Sequence, residues 1–214
     1  MSDRPLKVTF HLDGSGVLYD PLEPTHLDGL LAWCLCAYHT TGEPPRRDEV
    51  PAEIPLPLRK WRMAETWGWH ASALFPDGGG FEGLQFWRKR FRARKSSYTK
   101  GSPSTKSGTY RDWQTPMPLT ICPRMIAYAH GDRSTLQKVL RRGVKYIGKK
   151  AAYGKGRVTR IDVEWIEEDL SLKMDDRAMR WLPDPNGRRL VRPRPPYWNI
   201  VDRVRCCEIG QMMS

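Results

Sequence analysis

The run "DRSTLQKVLRRGVKYIGKKAAYGKGRVTRIDVEWIEED", residues 132–169, holds a helix, a loop and a strand in succession. Leu136, Val139 and Leu140 recur at helical spacing, and Asp132 or Ser134 can cap a helix over 132–148. From 157 to 169 the apolar positions Val158, Ile161, Val163 and Trp165 follow strand alternation and mark a closing strand. Between the two lies 144–158, where Gly148, Gly154 and Gly156 are interleaved with Lys149, Lys150, Lys155 and Arg157 and with Tyr146 and Tyr153. Flexible backbone and positive charge thus concentrate at one helix-to-strand joint.

Working back toward the N-terminus, "LKVTFHL" (6–12) reads as a first strand. "HLDGLLAWCLCAYH" (26–39) has helical periodicity, with Thr25 and Asp28 as a weak capping box and Gly42 as a stop. Five prolines make 41–58 an extended surface loop. Residues 59–75 and 81–96, joined by "PDGGG", read as two strands of one hairpin. Residues 97–111 are rich in Ser, Gly and Lys, and the prolines in 115–131 suggest an edge strand. The order matches a β-α-β-β-α-β unit. The expected fold is therefore α+β: a ferredoxin-like (RRM-like) core with a β-hairpin extension, the glycine-rich loop and an irregular C-terminal tail. Residues 1–170 form the expected domain, with a basic hairpin or thumb inserted at about 81–112. Residues 171–214 form a Pro/Arg-rich extension packing on it.

Composition narrows the partners. Thirty-six Lys and Arg against 24 Asp and Glu give a formal charge of +12, which favours nucleic acid first and acidic membrane second. Apolar residues make up 39% of the chain, enough for a real core. The start "MSDRPLKVTF" lacks an apolar signal region, and no apolar run approaches the roughly 18 residues that span a bilayer. A cytoplasmic, non-membrane protein is expected. The five cysteines show no metal spacing and read as buried free thiols, and neither a metal nor another cofactor is expected.

Two features point to RNA. In 144–158, glycine backbone can approach a ligand closely and free N–H groups can cradle an anion. Lys149, Lys150 and Arg157 would add charge for phosphate, and Tyr146 and Tyr153 could stack on bases. In "FWRKRFRARKSSYTK" (86–100), strand alternation puts Arg88, Arg90, Arg92 and Arg94 on one face. Lys100, Lys106 and Arg111 follow. Such a ladder repels itself unless an anion binds it, and guanidinium suits phosphate. For catalysis, His26 is the best candidate base, while His11, His39, His70 and His130 are scattered along the chain.

A core whose second helix runs into "YIGKKAAYGKGRV" before a strand resembles the RAMP superfamily of CRISPR proteins. With "PTHLDGLLAWCLC" (24–36) and the hairpin, roughly residues 5–170 look most like the Cas5-group subunit of type IV CRISPR effector complexes, which caps the 5′ handle of the guide RNA. The resemblance implies a non-catalytic subunit of an antiviral ribonucleoprotein. Its partners would be crRNA, target DNA near the PAM, a Cas7-like backbone subunit, a large (Cas8-like) subunit and, through the assembled complex, a DinG-type helicase. Gly148, Gly154 and Gly156 with Lys149, Lys150 and Arg157 would be its glycine-rich-loop contacts. Two alternatives stand beside it. One is a Cas6-like, metal-independent endoribonuclease that processes pre-crRNA with His26 as general base. The other is a general basic RNA-binding protein.

Overall fold

The computed structural model describes residues 3–39, 48–63, 65–90, 104–108, 111–149 and 153–213. In chain order the elements are β1 (Asp3–Leu12), β2 (Val17–Leu18), α1 (Leu27–His39), β3 (Lys60–Met63), β4 (Thr66–Trp69) and β5 (Phe75–Asp77). Then come β6 (Phe81–Lys89), β7 (Trp113–Ile121), β8 (Arg124–Asp132), α2 (Arg133–Gly143) and β9 (Val158–Trp165). The C-terminal part holds β10 (Lys173–Met174), β11 (Arg177–Ala178), β12 (Arg189–Val191) and β13 (Val204–Cys206). The protein is a mixed α/β structure whose named strands all pair antiparallel.

The main sheet has the order β5-β8-β1-β9. Its register sets Val8 beside both Ala127 and Val163, and Phe10 beside both Met125 and Ile161. Residues directly opposite share a face, so Leu6, Val8, Phe10, Met125, Ala127, Ala129, Ile161 and Val163 form one apolar surface. It packs with Leu27, Leu31 and Cys34 of α1 and Leu136 and Leu140 of α2 in a single core. Each large apolar side chain buried there contributes roughly 1.5–3 kcal/mol, far more than an exposed ion pair. Asp132 caps α2 by accepting from the Thr135 N–H at 2.9 Å, as one of the two expected caps. The helix stops at Gly143, five residues short of its expected end, and the chain turns extended at Val144.

Among the described residues, the hairpin expected over 59–96 is not formed. β3 pairs with β4, β5 joins β8 of the main sheet, and β6 pairs with β7 across a long excursion. A glycine turn signals a change of direction but does not choose the partner strand. The region 115–131 is likewise two strands: β7, and β8 at the centre of the main sheet. Pro116 and Pro118 belong to β7, and Pro123 lies in the turn between β7 and β8. The Pro118 carbonyl accepts from Tyr19 N–H, so that residue's hydrogen-bonding edge faces away from β6. The missing amide of Pro118 therefore costs the β6 ladder nothing.

The C-terminal residues meet α1 through Arg180. This side chain is fully buried and donates to the carbonyls of Trp69, Ala71 (2.8 Å) and Pro193 (2.5 Å) and to the Tyr197 hydroxyl (3.1 Å). It also pairs with Asp28 Oδ2 at 3.1 Å. Asp28 Oδ1 accepts from Tyr197 at 2.6 Å and from the Gly29 N–H at 2.9 Å. Asp28 is therefore no capping-box residue: its carboxylate is the inward counter-ion of Arg180. Burial raises its pKa, with the Arg180 charge opposing but not cancelling that rise.

Candidate nucleic-acid interface

After α2 the chain doubles back on itself. Tyr146 and Arg157 form an antiparallel bridge, the Ile147 N–H donates to Gly156 (2.9 Å), and Val158 N–H donates to Lys145 (2.9 Å). The loop also leans on the β1–β2 turn: Gly156 N–H donates to Gly16 (2.8 Å) and Lys149 N–H to Leu18 (3.0 Å). The amides of Ile147, Lys149, Gly156 and Val158 are therefore spent on internal bonds. Two of the loop's cations, of which Lys149 is an expected phosphate contact, are engaged as well. Lys149 lies 3.5 Å from Asp20 and 3.4 Å from Glu23, and Lys155 donates to the Ser15 carbonyl at 2.8 Å.

The glycines divide into two kinds. Gly156 has φ +69°, and a Cβ there would overlap the Ile147 carbonyl, so its reason is packing. Gly148 is similarly tight against Val17 and Leu18. Gly154 has φ +77° with open space around it, so there the backbone is accessible from outside. Gly154→Ala should cost only the left-handed strain of about 1–2 kcal/mol. Gly156→Ala should cost clearly more, because the loop must also shift. Thermal melts of the two variants check this; equal losses would contradict the packing assignment.

The hairpin β6–β7 projects beside this loop, with β2 as its third strand. Arg88 is exposed on the face that also carries Leu84 and Phe86, its guanidinium 5.8 Å from the Phe86 ring centroid. Arg90 is exposed just past β6. Arg92, Arg94, Lys100 and Lys150 lie outside the described residues. The opposite face carries Trp87 and Lys89, opposite Thr115 and Trp113. Trp87 meets Tyr153 of the glycine-rich loop edge-on, with centroids 4.3 Å apart, and Trp113 lies 6.4 Å from Trp87. The loop and the hairpin therefore join through aromatic rings, on the face away from Arg88.

Trp87 and Trp113 were not among the sequence-derived contacts. The signal for Trp87 was present: alternation places it opposite the arginines. Trp113 needed the β6–β7 pairing, which the sequence did not reveal. The resulting surface offers exposed rings (Tyr153 at 61%, Tyr146 at 39%, Trp113 at 38%) beside Arg157, which the bridge sets next to Tyr146. Rings with interleaved cations stack bases and neutralise phosphates of single-stranded nucleic acid.

His26 is placed elsewhere. Its side chain is 2% exposed and stacks on Tyr197 (4.7 Å, 28°) and against Trp181 (4.6 Å), with both ring nitrogens buried and unpartnered. Burial, reinforced by the nearby Arg180 charge, pushes its pKa well below 6.5. A general base needs hydrogen-bond reach to the proton it takes, so a substrate hydroxyl would have to enter between the Trp181 and Tyr197 rings to meet either nitrogen. His26→Phe should fold normally and be at least as stable, since it removes two unsatisfied buried groups while filling the same space. The native protein should also lose stability as pH falls below 6.5, by up to about 1.4 kcal/mol per pH unit. There the unfolded imidazole gains a proton that the folded one refuses. Denaturant midpoints for both proteins between neutral and mildly acid pH test this; parallel pH profiles would refute it.

The remaining histidines are less scattered than their positions suggest: His70 and His130 lie ring to ring, 5.7 Å between centroids. The five cysteines carry free thiols, four of them buried.

No curated protein matches the chain. The family model for CRISPR type IV associated protein Csf3 matches two overlapping segments, residues 4–94 and 83–208. Together they take in the main sheet, both helices, the projecting hairpin, the glycine-rich loop and nearly all of the C-terminal part, so the chain belongs to the Csf3 family of type IV CRISPR-associated proteins.

Proposed function

We propose that this chain is the crRNA-binding subunit of a type IV CRISPR ribonucleoprotein, a cytoplasmic complex. It caps the 5′ handle of the guide, abuts a Cas7-like backbone subunit and a large subunit near the PAM duplex, and cleaves nothing itself. Its core is of the ferredoxin-like RAMP kind. β1, α1, β5, β8, α2 and β9 follow the β-α-β-β-α-β order, and the sheet order β5-β8-β1-β9 supports that reading. Residues 171–214 serve as an extension anchored on the core through Arg180. The observation that carries the proposal is the Trp87–Tyr153 contact. It fuses the hairpin and the glycine-rich loop into one ring-and-cation surface.

Co-expression with the neighbouring subunits, followed by sequencing of the RNA that co-purifies, tests the role. A short RNA with one constant 5′ end, retained only with the backbone subunit, is the expected result. Cleaved repeat RNA made by this chain alone would overturn it.

A further inference from the structure

At the other end of the main sheet three segments converge. β1 runs from Asp3 to Leu12 beside the glycine-rich loop, so Asp3 lies about 30 Å from that loop. There, Asp169 Oδ2 lies 2.8 Å from His130 Nδ1 and 3.1 Å from His70 Nδ1. One donor atom from each of the three residues lies within 4.8 Å of the other two. The surroundings hold these groups in place. Asp169 Oδ1 accepts the Ser171 N–H at 3.0 Å, while the Ser171 Oγ contact to His70 Nδ1 at 3.0 Å is one that a bound ion would replace. The backbone of His130 donates to the His70 carbonyl at 3.0 Å. Behind His130, its Nε2 is 3.3 Å from Asp3 Oδ1.

His130 thus stands between two carboxylates, Asp169 on its Nδ1 side and Asp3 on its Nε2 side. A neutral imidazole has a single N–H and can serve only one of them. A cation that takes the Nδ1 lone pair leaves the N–H on Nε2 for Asp3. That is the carboxylate–histidine–metal arrangement in which an outer carboxylate fixes tautomer and ring orientation. Ligand atoms about 2.0–2.2 Å from a shared tetrahedral ion lie roughly 3.3–3.6 Å apart. Here Asp169 Oδ2 is 2.8 and 3.1 Å from the two Nδ1 atoms, and all three donor atoms fall within 4.8 Å, so a small outward shift of the side chains admits the ion.

We propose that His70, His130 and Asp169 form a divalent transition-metal site, with Asp3 orienting His130 and water taking the fourth position. Two imidazoles and one carboxylate suit a zinc-like ion, whereas Mg²⁺ and Ca²⁺ favour oxygen ligands. The ion clamps Asp169, beyond the end of β9, onto His70 just after β4 and His130 of β8. This site is remote from the nucleic-acid surface and independent of the RNA-binding role.

The test is metal titration of the full chain, freed of metal by chelator and kept reduced, with Zn²⁺ and separately with Co²⁺. The expected result is one tightly bound equivalent, visible Co²⁺ bands of a four-coordinate site, and no displacement by excess Mg²⁺. His70→Ala should abolish the tight equivalent. Asp3→Asn alters an exposed strand end and leaves the fold intact. It should weaken binding roughly 10-fold and move the Co²⁺ bands. Absence of a tight equivalent, or binding unchanged in both variants because cysteines hold the ion, would overturn the proposal.

Discussion

Arg180→Ala is expected to cost about 3–5 kcal/mol of folding stability, the scale for breaking a buried ion pair by removing one partner. The total stability of a domain is only about 5–15 kcal/mol, so a large unfolded population should result. The argument rests on what is left behind. Asp28 is fully buried and would lose its counter-ion, and the carbonyls of Trp69, Ala71 and Pro193 would lose their donor in the same place. Each stranded buried acceptor costs about 1–3 kcal/mol. The double variant Asp28→Leu with Arg180→Met separates these contributions. It removes the stranded charge but not the stranded carbonyls, so it should recover only part of the loss. Urea midpoints of the three proteins decide it. A loss below about 1 kcal/mol for Arg180→Ala, the scale of an exposed pair, would mean that the network does not hold the C-terminal residues to α1.

Sequence reading succeeded where one segment carries its own signal. The alternation of Val8 and Phe10, and of Ile161 and Val163, reported the buried side of β1 and β9 directly, and Leu136 and Leu140 reported the inner side of α2. It failed where partner choice depends on distant residues. Nothing local says that 81–89 pairs with 113–121, more than twenty residues on. Nor does anything local say that Asp28 faces Arg180 152 positions away instead of capping its own helix. Buried ion pairs of that kind leave no periodic trace.

The same division holds at the candidate site. Glycine and charge drew attention to 144–158, and the three glycines do have positive φ. Yet composition cannot distinguish a glycine needed by packing, as Gly156 is, from one whose backbone is open, as Gly154 is. Likewise a lysine counted as a phosphate contact, Lys149, turns out to lie between Asp20 and Glu23. Local charge predicts attraction to RNA only after internal partners are subtracted, and those partners are tertiary.

Trp87→Ala combined with Tyr153→Ala should reduce affinity for single-stranded guide RNA strongly while leaving its salt dependence nearly unchanged. Each lost base-stacking contact is worth about 1–3 kcal/mol, so the pair should cost tenfold or more. Stacking releases no counter-ions, which is why the slope should hold. Arg157→Ala should behave in the opposite way, with a modest loss at low salt and a slope of log affinity against log salt flatter by about 0.7 for one phosphate contact. Arg88→Ala tests the geometry. If RNA follows the face shared by Trp87 and Tyr153, Arg88 lies on the other side of β6 and its removal should alter the slope less than that of Arg157. If instead Arg88→Ala flattens the slope fully while the double aromatic variant binds normally, the RNA lies along the arginine face. The aromatic junction would then be only the packing that holds the loop to the hairpin.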